Sequence, residues 1–332
     1  MMATPALKIV EPVTGEATPV PAIKVVTPAP VKVAPTWLAK IKVPDGRALF
    51  ESLWPPVLGI AIFLGAWAVL APQVKTSLGA LPGPGDVWTS FLGLMTEHSA
   101  ARADAAAAVA AGGLYSGPPT FVDQIFTSLF TVAMGFILAS IIAVPLGLVA
   151  GLSKRFNAAI NPLIQVMRPV SPLAWLPIVT MIVSASVTST DPMFAKSFII
   201  SAVVVMLCSL WSTLINTAIG VASIDKDLLN VGRVLRLGWF AKLTKLVLPS
   251  AMPYIFTGMR LSLGVGWMVL IAAEMLAQNP GLGKFVWDEF QNGNDRSLSR
   301  IMVAVIVIGL IGFLLDQVMR IAQNFASRHT VR

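Results

Sequence analysis

Residues Ile125 to Ser153 read IFTSLFTVAMGFILASIIAVPLGLVAGLS, an uncharged and almost entirely apolar run. A helix needs about 20 mostly apolar residues to cross the hydrocarbon core of a bilayer, which is roughly 30 Å thick. The run exceeds that length. It therefore predicts a membrane-spanning helix that extends beyond the bilayer or tilts within it.

The composition of the whole chain agrees with a membrane protein. Of its 332 residues, 56% are hydrophobic and 12% are charged, and its mean hydropathy is +0.78. Soluble domains contain about 45–50% apolar and about 25% charged residues, so this chain has too few charges for a water-facing surface. An ordinary soluble enzyme is excluded, and nucleic-acid binding is not needed to explain the net charge of +8.

Five further stretches are long and apolar enough, or nearly so, to form spans. They are Pro55–Val74, Pro169–Ser186, Phe198–Ala222, Tyr254–Ala277 and Ile301–Ile321. Pro172 and Pro177 predict that the third span is a kinked helix. The predicted fold class is all-α, a polytopic membrane protein with about six transmembrane helices.

The basic residues predict the orientation of these spans. Cytoplasmic segments are enriched in Lys and Arg. Most of the 24 Lys and Arg residues lie before the first span, after the second, after the fourth and after the sixth. We therefore expect both termini to be cytoplasmic in a bacterial inner membrane.

Three regions are predicted along the chain. Residues 1–53 are rich in Pro, Ala, Val and Thr and predict a disordered cytoplasmic tail that ends in an interfacial segment. Residues 54–325 form the transmembrane domain, and residues 326–332 form a second cytoplasmic tail.

The longest predicted external loop covers residues 75–124. We expect a short helix ending near Met95, followed by an inserted alanine-rich loop over 99–113. Residues 279–300 combine apolar side chains with Gly and Asn, which predicts a partly embedded external hairpin.

The sequence contains no constellation typical of an enzyme or a metal site. Cys208 is the only cysteine, and neither an H-E-x-x-H motif nor a G-x-x-x-x-G-K-[ST] phosphate loop occurs. Gly83–Asp86 fits the G-x-G-D pattern of intramembrane aspartyl proteases, but the first span holds no second aspartate to share a proton. We assign no catalytic residue, no metal and no cofactor.

A basic loop over residues 223–249, called here the 223–249 loop, is the segment most informative about function. Apolar residues recur at helical spacing in two runs separated near Gly238. The runs are Leu228, Val231 and Leu235, then Phe240, Leu243 and Val247. They predict two short amphipathic helices. A helical hairpin lying on anionic lipid headgroups needs the same composition and remains an alternative.

The spacing in this loop resembles the loop signature of ABC importer permeases, which reads Glu-Ala-Ala, three residues, Gly, nine residues and Ile-x-Leu-Pro. Asn230, Val231 and Gly232 lie at the Glu-Ala-Ala positions and Arg236 at the Gly position, and Val247, Leu248 and Pro249 form the x-Leu-Pro end of the signature. The stretch Leu229–Leu237, which includes Arg233, is similar to nitrate members of the nitrate/sulfonate/bicarbonate family. Arg236 occupies the glycine position, so we expect Gly238 to make the turn flexible.

Other stretches resemble the same family. They are Leu81–Trp88, Arg168–Pro177, Pro253–Leu276 and Gly281–Asn294. The resemblance covers about 54–325 and implies the type I ABC importer permease architecture. It implies cytoplasmic ABC ATPase subunits, an external solute-binding protein and a second permease copy as partners. It also implies nitrate as the substrate, with nitrite as a companion. Sulfonate/taurine or bicarbonate import, and an ATP-independent channel or scaffold, are the alternatives.

Ionisable residues inside spans are candidates for function because they are costly there unless paired or wetted. Arg260 either snorkels to the cytoplasmic headgroups or attracts an oxyanion in the pathway. Glu274 is expected to act as a gate or hinge, held by backbone or Trp267 donors. Asp316 precedes Arg320 by four residues, which predicts an ion pair on one helix.

Glycines in the second and fifth spans predict helices that pack closely yet slide. They are Gly147, Gly151, Gly258, Gly264 and Gly266. We assign Arg260, Gly264 and Glu274 to the translocation pathway or its gate.

Overall fold

The computed structural model describes residues 46–76, 79–113, 117–187 and 195–328. Most of the predicted tail over 1–53 lies outside these residues. The helices are α1 (Gly46–Leu70), α2 (Pro84–Ala110), α3 (Phe121–Leu152), α4 (Lys154–Met167), α5 (Pro172–Ser186), α6 (Lys196–Ala222), α7 (Lys226–Val234), α8 (Trp239–Lys242), α9 (Leu248–Ala277), α10 (Leu282–Asn292) and α11 (Ser297–Arg328). Two strands of two residues each pair antiparallel; they are β1 (Lys75–Thr76) and β2 (Gly79–Ala80).

The prediction of a polytopic all-α protein is confirmed. Among the described residues, five helical segments are long and apolar enough to cross a membrane, and a sixth results if one bent helix pair counts as a span. The five are Trp54–Gln73, Phe121–Leu152, Lys196–Ala222, Trp239–Ala277 and Ser297–Ala326.

The third predicted span differs from the expected kinked helix. It is the second half of a bent pair, α4 and α5, whose axes meet at 101°. The break precedes Pro172, where Ser171 Oγ accepts the backbone N–H of Leu173 and caps the new helix. Pro177 lies inside α5. Because α5 has 15 residues, it is about 22 Å long, shorter than the hydrocarbon core.

The centre of the fold is α6, which packs against both α3 and α9. Glycines permit these close approaches. A Cβ added at Gly147 would lie 2.6 Å from Cβ of Thr217, and one added at Gly266 would lie 2.6 Å from Oγ of Ser209. The prediction of close packing is confirmed for Gly147, Gly151, Gly258 and Gly266. It is wrong for Gly264, where a Cβ would meet nothing within 4 Å.

One expectation about the segment before α3 is wrong. The alanine run over 99–113 is not a loop, because α2 continues through it to Ala110. Alanine has the highest intrinsic helix propensity, so the run extends the helix although it lacks an apolar stripe. The first span, Trp54–Gln73, agrees with the predicted Pro55–Val74 to within one residue at each end, and α1 extends from it back to Gly46.

The fifth span begins earlier than predicted, and it incorporates half of the 223–249 loop. Helical structure is continuous from Trp239 to Ala277, with a π-helical turn at Leu243–Val247 before α9. The predicted second amphipathic helix is therefore the first part of the span rather than a separate element ending at Pro249. The predicted hairpin over 279–300 contains α10, whose Leu282 and Phe285 are buried.

Candidate functional site

The 223–249 loop contains the predicted helical turn, but its geometry differs from the expectation. Helix α7 is capped by Asp225, whose Oδ1 accepts the backbone N–H of Asp227 at 2.9 Å. At its end, the N–H of Arg236 bonds to the carbonyl of Arg233 and the N–H of Leu237 bonds to that of Gly232, both at 3.0 Å. This pair of bonds defines a Schellman motif, which requires a left-handed residue after the helix.

Arg236 is that left-handed residue, with φ 48°. The expectation that Gly238 provides the turn is wrong, because Gly238 is the extended N-cap of α8 with φ −61°. The left-handed region is costly for residues that carry a Cβ. Glycine, which the resembled loop signature has at this position, adopts the conformation without that cost.

Five apolar residues of the loop are exposed. Val234 is 82% exposed, Phe240 71% and Trp239 70%. Leu235 and Val231 are exposed as well, so most of the first predicted apolar face is uncovered by the described part of this chain, whereas Leu243 and Val247 of the second face pack into the bundle. Val234 and Trp239 lie outside the helical spacing of the two predicted apolar faces, so that spacing did not identify them.

The C-terminal end of the loop packs into the bundle, and α7 packs against that end. Val247 is 1% exposed, and a Cβ added at Gly232 would lie 2.7 Å from Cδ1 of Leu246. Leu248 and Pro249 begin α9, and Asn230 Oδ1 accepts a hydrogen bond from Arg233. The loop thus joins an exposed apolar surface to the start of a long transmembrane helix.

Inside the span, Arg260 and Asp316 form an ion pair between α9 and α11. Arg260 Nε lies 2.5 Å from Asp316 Oδ1, and Arg260 Nη2 lies 2.7 Å from Asp316 Oδ2. The expected pairing of Asp316 with Arg320 is wrong, because the carboxylate points to the neighbouring helix. The expectation that Arg260 snorkels to the headgroups is wrong as well, because its guanidinium bonds to Asp316.

A cavity surrounds this ion pair. A volume of about 200 Å³ is lined by Arg260, Gly264, Trp267 and Asp316, among others. A second, more open volume of about 630 Å³ includes Arg260, Gly264 and Asp316 as well, together with Gln323. Arg260 and Gly264, which lie one helical turn apart on α9, therefore line the same cavity.

Glu274 lies apart from this cavity and is completely buried. The Ser128 hydroxyl donates to its carboxyl group, 2.8 Å from Oε2 and 2.9 Å from Oε1. The backbone N–H of Gly283, in the first turn of α10, also donates to Oε2 at 2.9 Å. Ser128 Oγ accepts the N–H of Leu282. Glu274 and Ser128 together cap the start of α10.

The expected backbone donor to Glu274 is confirmed, but the expected Trp267 donor is wrong. Trp267 Nε1 donates instead to the carbonyl of Ile308 at 3.0 Å. A Cβ added at Gly281 would overlap with the carboxyl group of Glu274. Glu274 is thus an anchor that joins α3, α9 and α10.

The region that carries these features matches a known family. Residues 143–329 match the family described as "Binding-protein-dependent transport system inner membrane component". The bicarbonate transport system permease protein CmpB of Synechococcus elongatus is 37% identical over 286 residues, which cover 85% of this chain and 92% of that protein. This chain is a permease of the ABC importer family.

Permeases named for nitrate import are also similar to this chain. The nitrate import permease protein NrtB of Synechocystis sp. is 37% identical over 263 residues, covering 79% of this chain and 85% of that protein. A chain of the MetNI methionine ABC transporter, in an inward facing conformation, has the same fold with a TM-score of 0.53. It is 13% identical and covers 64% of this chain and 96% of that chain. The type I importer permease architecture is confirmed.

Proposed function

We propose that this permease is the transmembrane subunit of an ATP-driven importer for a small monovalent oxyanion, with nitrate as the first candidate and nitrite as its companion. The observation that carries the proposal is the similarity over most of the chain to nitrate and bicarbonate permeases. Nitrate and bicarbonate are both planar, with a single negative charge. The sequence of Leu229–Leu237 favours nitrate, and bicarbonate is the second candidate because its permease CmpB is equally similar.

The exposed apolar surface of the 223–249 loop would be the docking site for a cytoplasmic ABC ATPase. Exposed aromatic side chains are typical anchors of protein interfaces, and Trp239 and Phe240 are adjacent in the loop. The sequence has no phosphate-binding loop of its own, so ATP hydrolysis belongs to a partner. An external solute-binding protein and a second permease copy would complete the importer.

The junction of the loop with α9 supports a coupling role. Helical structure continues from Trp239 into the membrane domain, so a displacement of the docked end moves α9 directly. The π-helical turn at Leu243–Val247 and Pro253 inside α9 are places where a helix bends most easily. We place this loop and both termini in the cytoplasm on the distribution of basic residues.

A loop variant tests the docking proposal. Trp239→Ser combined with Phe240→Ser removes two anchors, each of which is worth about 2 kcal/mol or more when it is a hot spot. We expect the affinity for the partner ATPase, measured by copurification, to fall at least about tenfold. ATP hydrolysis stimulated by the solute-binding protein should fall with it.

Thr244→Ala is the matched control, because Thr244 is exposed in the same segment and is not apolar. It should leave ATPase binding and uptake unchanged. Normal ATPase binding by the double variant would contradict the docking site. An ATP-independent channel predicts instead that deletion of residues 226–247 leaves transport intact, provided that the shortened protein still inserts.

Substrate identity is tested with the complete importer reconstituted in vesicles. Nitrate-loaded binding protein should stimulate ATP hydrolysis and nitrate uptake. Stimulation by bicarbonate alone would assign the permease to the second candidate. Stimulation by a sulfonate alone would contradict both.

A further inference from the structure

We propose that Arg260 is a transient binding site for the transported oxyanion and that Asp316 is a displaceable counterion occupying the same two donors. The proposal rests on the proposed function for its ligand class, a small planar oxyanion. Three structural observations assign Arg260 and Asp316 to this site: their ion pair, the cavity around it and the open space beside Gly264.

The first observation is that Asp316 mimics the ligand. Its two carboxylate oxygens lie 2.5 and 2.7 Å from Nε and Nη2 of Arg260. Two oxygens at one edge of a planar group are what the guanidinium fork recognises in carboxylates and similar oxyanions. Nitrate and bicarbonate present the same edge. They can therefore replace Asp316 at the same two nitrogen atoms without a change in the geometry of Arg260.

The second observation is that this pair is open. The side chains of Arg260 and Asp316 are 37% and 39% exposed, although both lie within helical segments long enough to cross the membrane. Charged side chains inside a bilayer face a water-filled cavity or the interior of an assembly rather than lipid. The exposed side of the pair therefore indicates a polar passage, which is where a hydrated anion would arrive.

The third observation is the space beside the pair. A Cβ added at Gly264 would have no neighbour within 4 Å, and Gly264 lines both volumes around Arg260. A four-atom oxyanion occupies about 60 Å³, twice the share of one water molecule in the liquid. The partly open volume of about 200 Å³ beside the pair accommodates such an anion and several waters.

The counterion explains how such a site can serve transport. An unpaired guanidinium in a narrow cavity would retain an anion too strongly, whereas conduction needs binding that is favourable enough to enter and weak enough to leave. Asp316 returns to Arg260 as the anion departs, so the positive charge is never left unpaired. The carboxylate keeps the site weak, and Arg260 gives it its selectivity for anions.

Binding is measured on the full-length permease purified with its ATPase in lipid nanodiscs. The unfolding midpoint is followed while sodium gluconate is replaced by sodium nitrate or sodium bicarbonate at fixed pH and fixed ionic strength. The wild type should show a saturable rise with one of these anions. Asp316→Asn should lower the half-saturating concentration at least about tenfold, since a competing charged hydrogen-bond acceptor has been removed. Arg260→Gln should abolish saturation.

The double variant Arg260→Gln, Asp316→Asn controls for a folding defect. Its two amide side chains can still hydrogen-bond to each other, and its net charge equals that of the wild type. It should assemble normally and bind no anion. Arg102→Gln is the control, because Arg102 pairs with Asp123 at the start of α3 and does not line the Arg260 cavity. It should bind as the wild type does. A wild type without a saturable shift, or an Arg260→Gln protein that saturates normally, overturns the proposal.

Uptake by the same proteins separates this proposal from the proposed function. Saturable anion binding that requires Arg260, in an importer that transports neither nitrate nor bicarbonate, overturns the proposed substrates and supports the binding site. Transport of nitrate that is unchanged in the assembled Arg260→Gln, Asp316→Asn variant overturns the binding site and leaves the proposed function intact.

Discussion

Two charged residues of α9, fourteen positions apart, are accommodated in opposite ways. Arg260 has a charged partner on a neighbouring helix and remains more than one-third exposed in a cavity. Glu274 is completely buried, and the groups that bond to it are uncharged: the Ser128 hydroxyl, the backbone N–H of Gly283 and the Asn279 side chain. The same helix therefore holds one charge that a mobile ligand can reach and one carboxyl group that no solvent reaches.

The difference separates transport chemistry from architecture. An open ion pair can exchange its partner at modest cost because water screens both groups. A buried carboxyl group cannot lose its donors without leaving several polar groups unsatisfied. We therefore expect changes at Arg260 to alter transport with little effect on folding, and changes at Glu274 to impair folding first.

The largest expected effect is that of Glu274→Ala. It leaves the Gly283 N–H without its acceptor and opens a cavity between α3, α9 and α10, which together cost about 3–5 kcal/mol. Thermal unfolding in nanodiscs should show a strongly lowered midpoint, and less protein should reach the membrane. The Arg260→Gln, Asp316→Asn variant is the comparison and should unfold close to the wild type. Equal destabilisation by both would remove the distinction between the two residues.

A pair of glycine substitutions gives a smaller effect of the same kind. A Cβ at Gly283 would lie 2.9 Å from Cβ of Glu274 and would press on the backbone of Ile271. Gly283→Ala should therefore destabilise the protein by about 1–3 kcal/mol through overpacking. Gly264→Ala meets no neighbour within 4 Å, so it should stabilise α9 by up to about 1 kcal/mol. The unfolding midpoints of the two variants measure these effects. A higher midpoint for Gly283→Ala than for Gly264→Ala would show that the contacts around Glu274 can rearrange at little cost.

The sequence was sufficient to predict most of the spans, because a bilayer imposes a length and a polarity that are visible in one dimension. Predictions from the sequence were wrong for features that the length and polarity of a span do not determine. The alanine run is helical through intrinsic propensity, and the bend before Pro172 arises at a cap rather than at the proline inside α5. The start of α9 was missed because the loop and the span are one continuous helical segment.

The candidate sites show the same limit more clearly. Charges within spans identified Arg260, Glu274 and Asp316 as special residues, but one sequence could not show which of them meet. Asp316 lies four residues before Arg320 in the chain, yet it bonds to Arg260, 56 positions away. The position of Gly281 and Gly283 after Glu274 was a usable signal, since glycines allow a backbone to approach a buried side chain closely.

A third charged residue, Arg236, gives the smallest expected effect, because its backbone conformation rather than its charge sets the turn. Its φ of 48° costs a residue with a Cβ about 1 kcal/mol relative to glycine. Arg236→Gly should slow hydrogen exchange of the amides at 236 and 237, whose bonds close the turn, and Arg236→Val should speed it. Mass spectrometry of peptides covering 226–247 measures both. Nitrate uptake by Arg236→Gly should equal that of the wild type. Faster exchange in Arg236→Gly would mean that the arginine side chain, rather than the left-handed backbone, determines the stability of this turn.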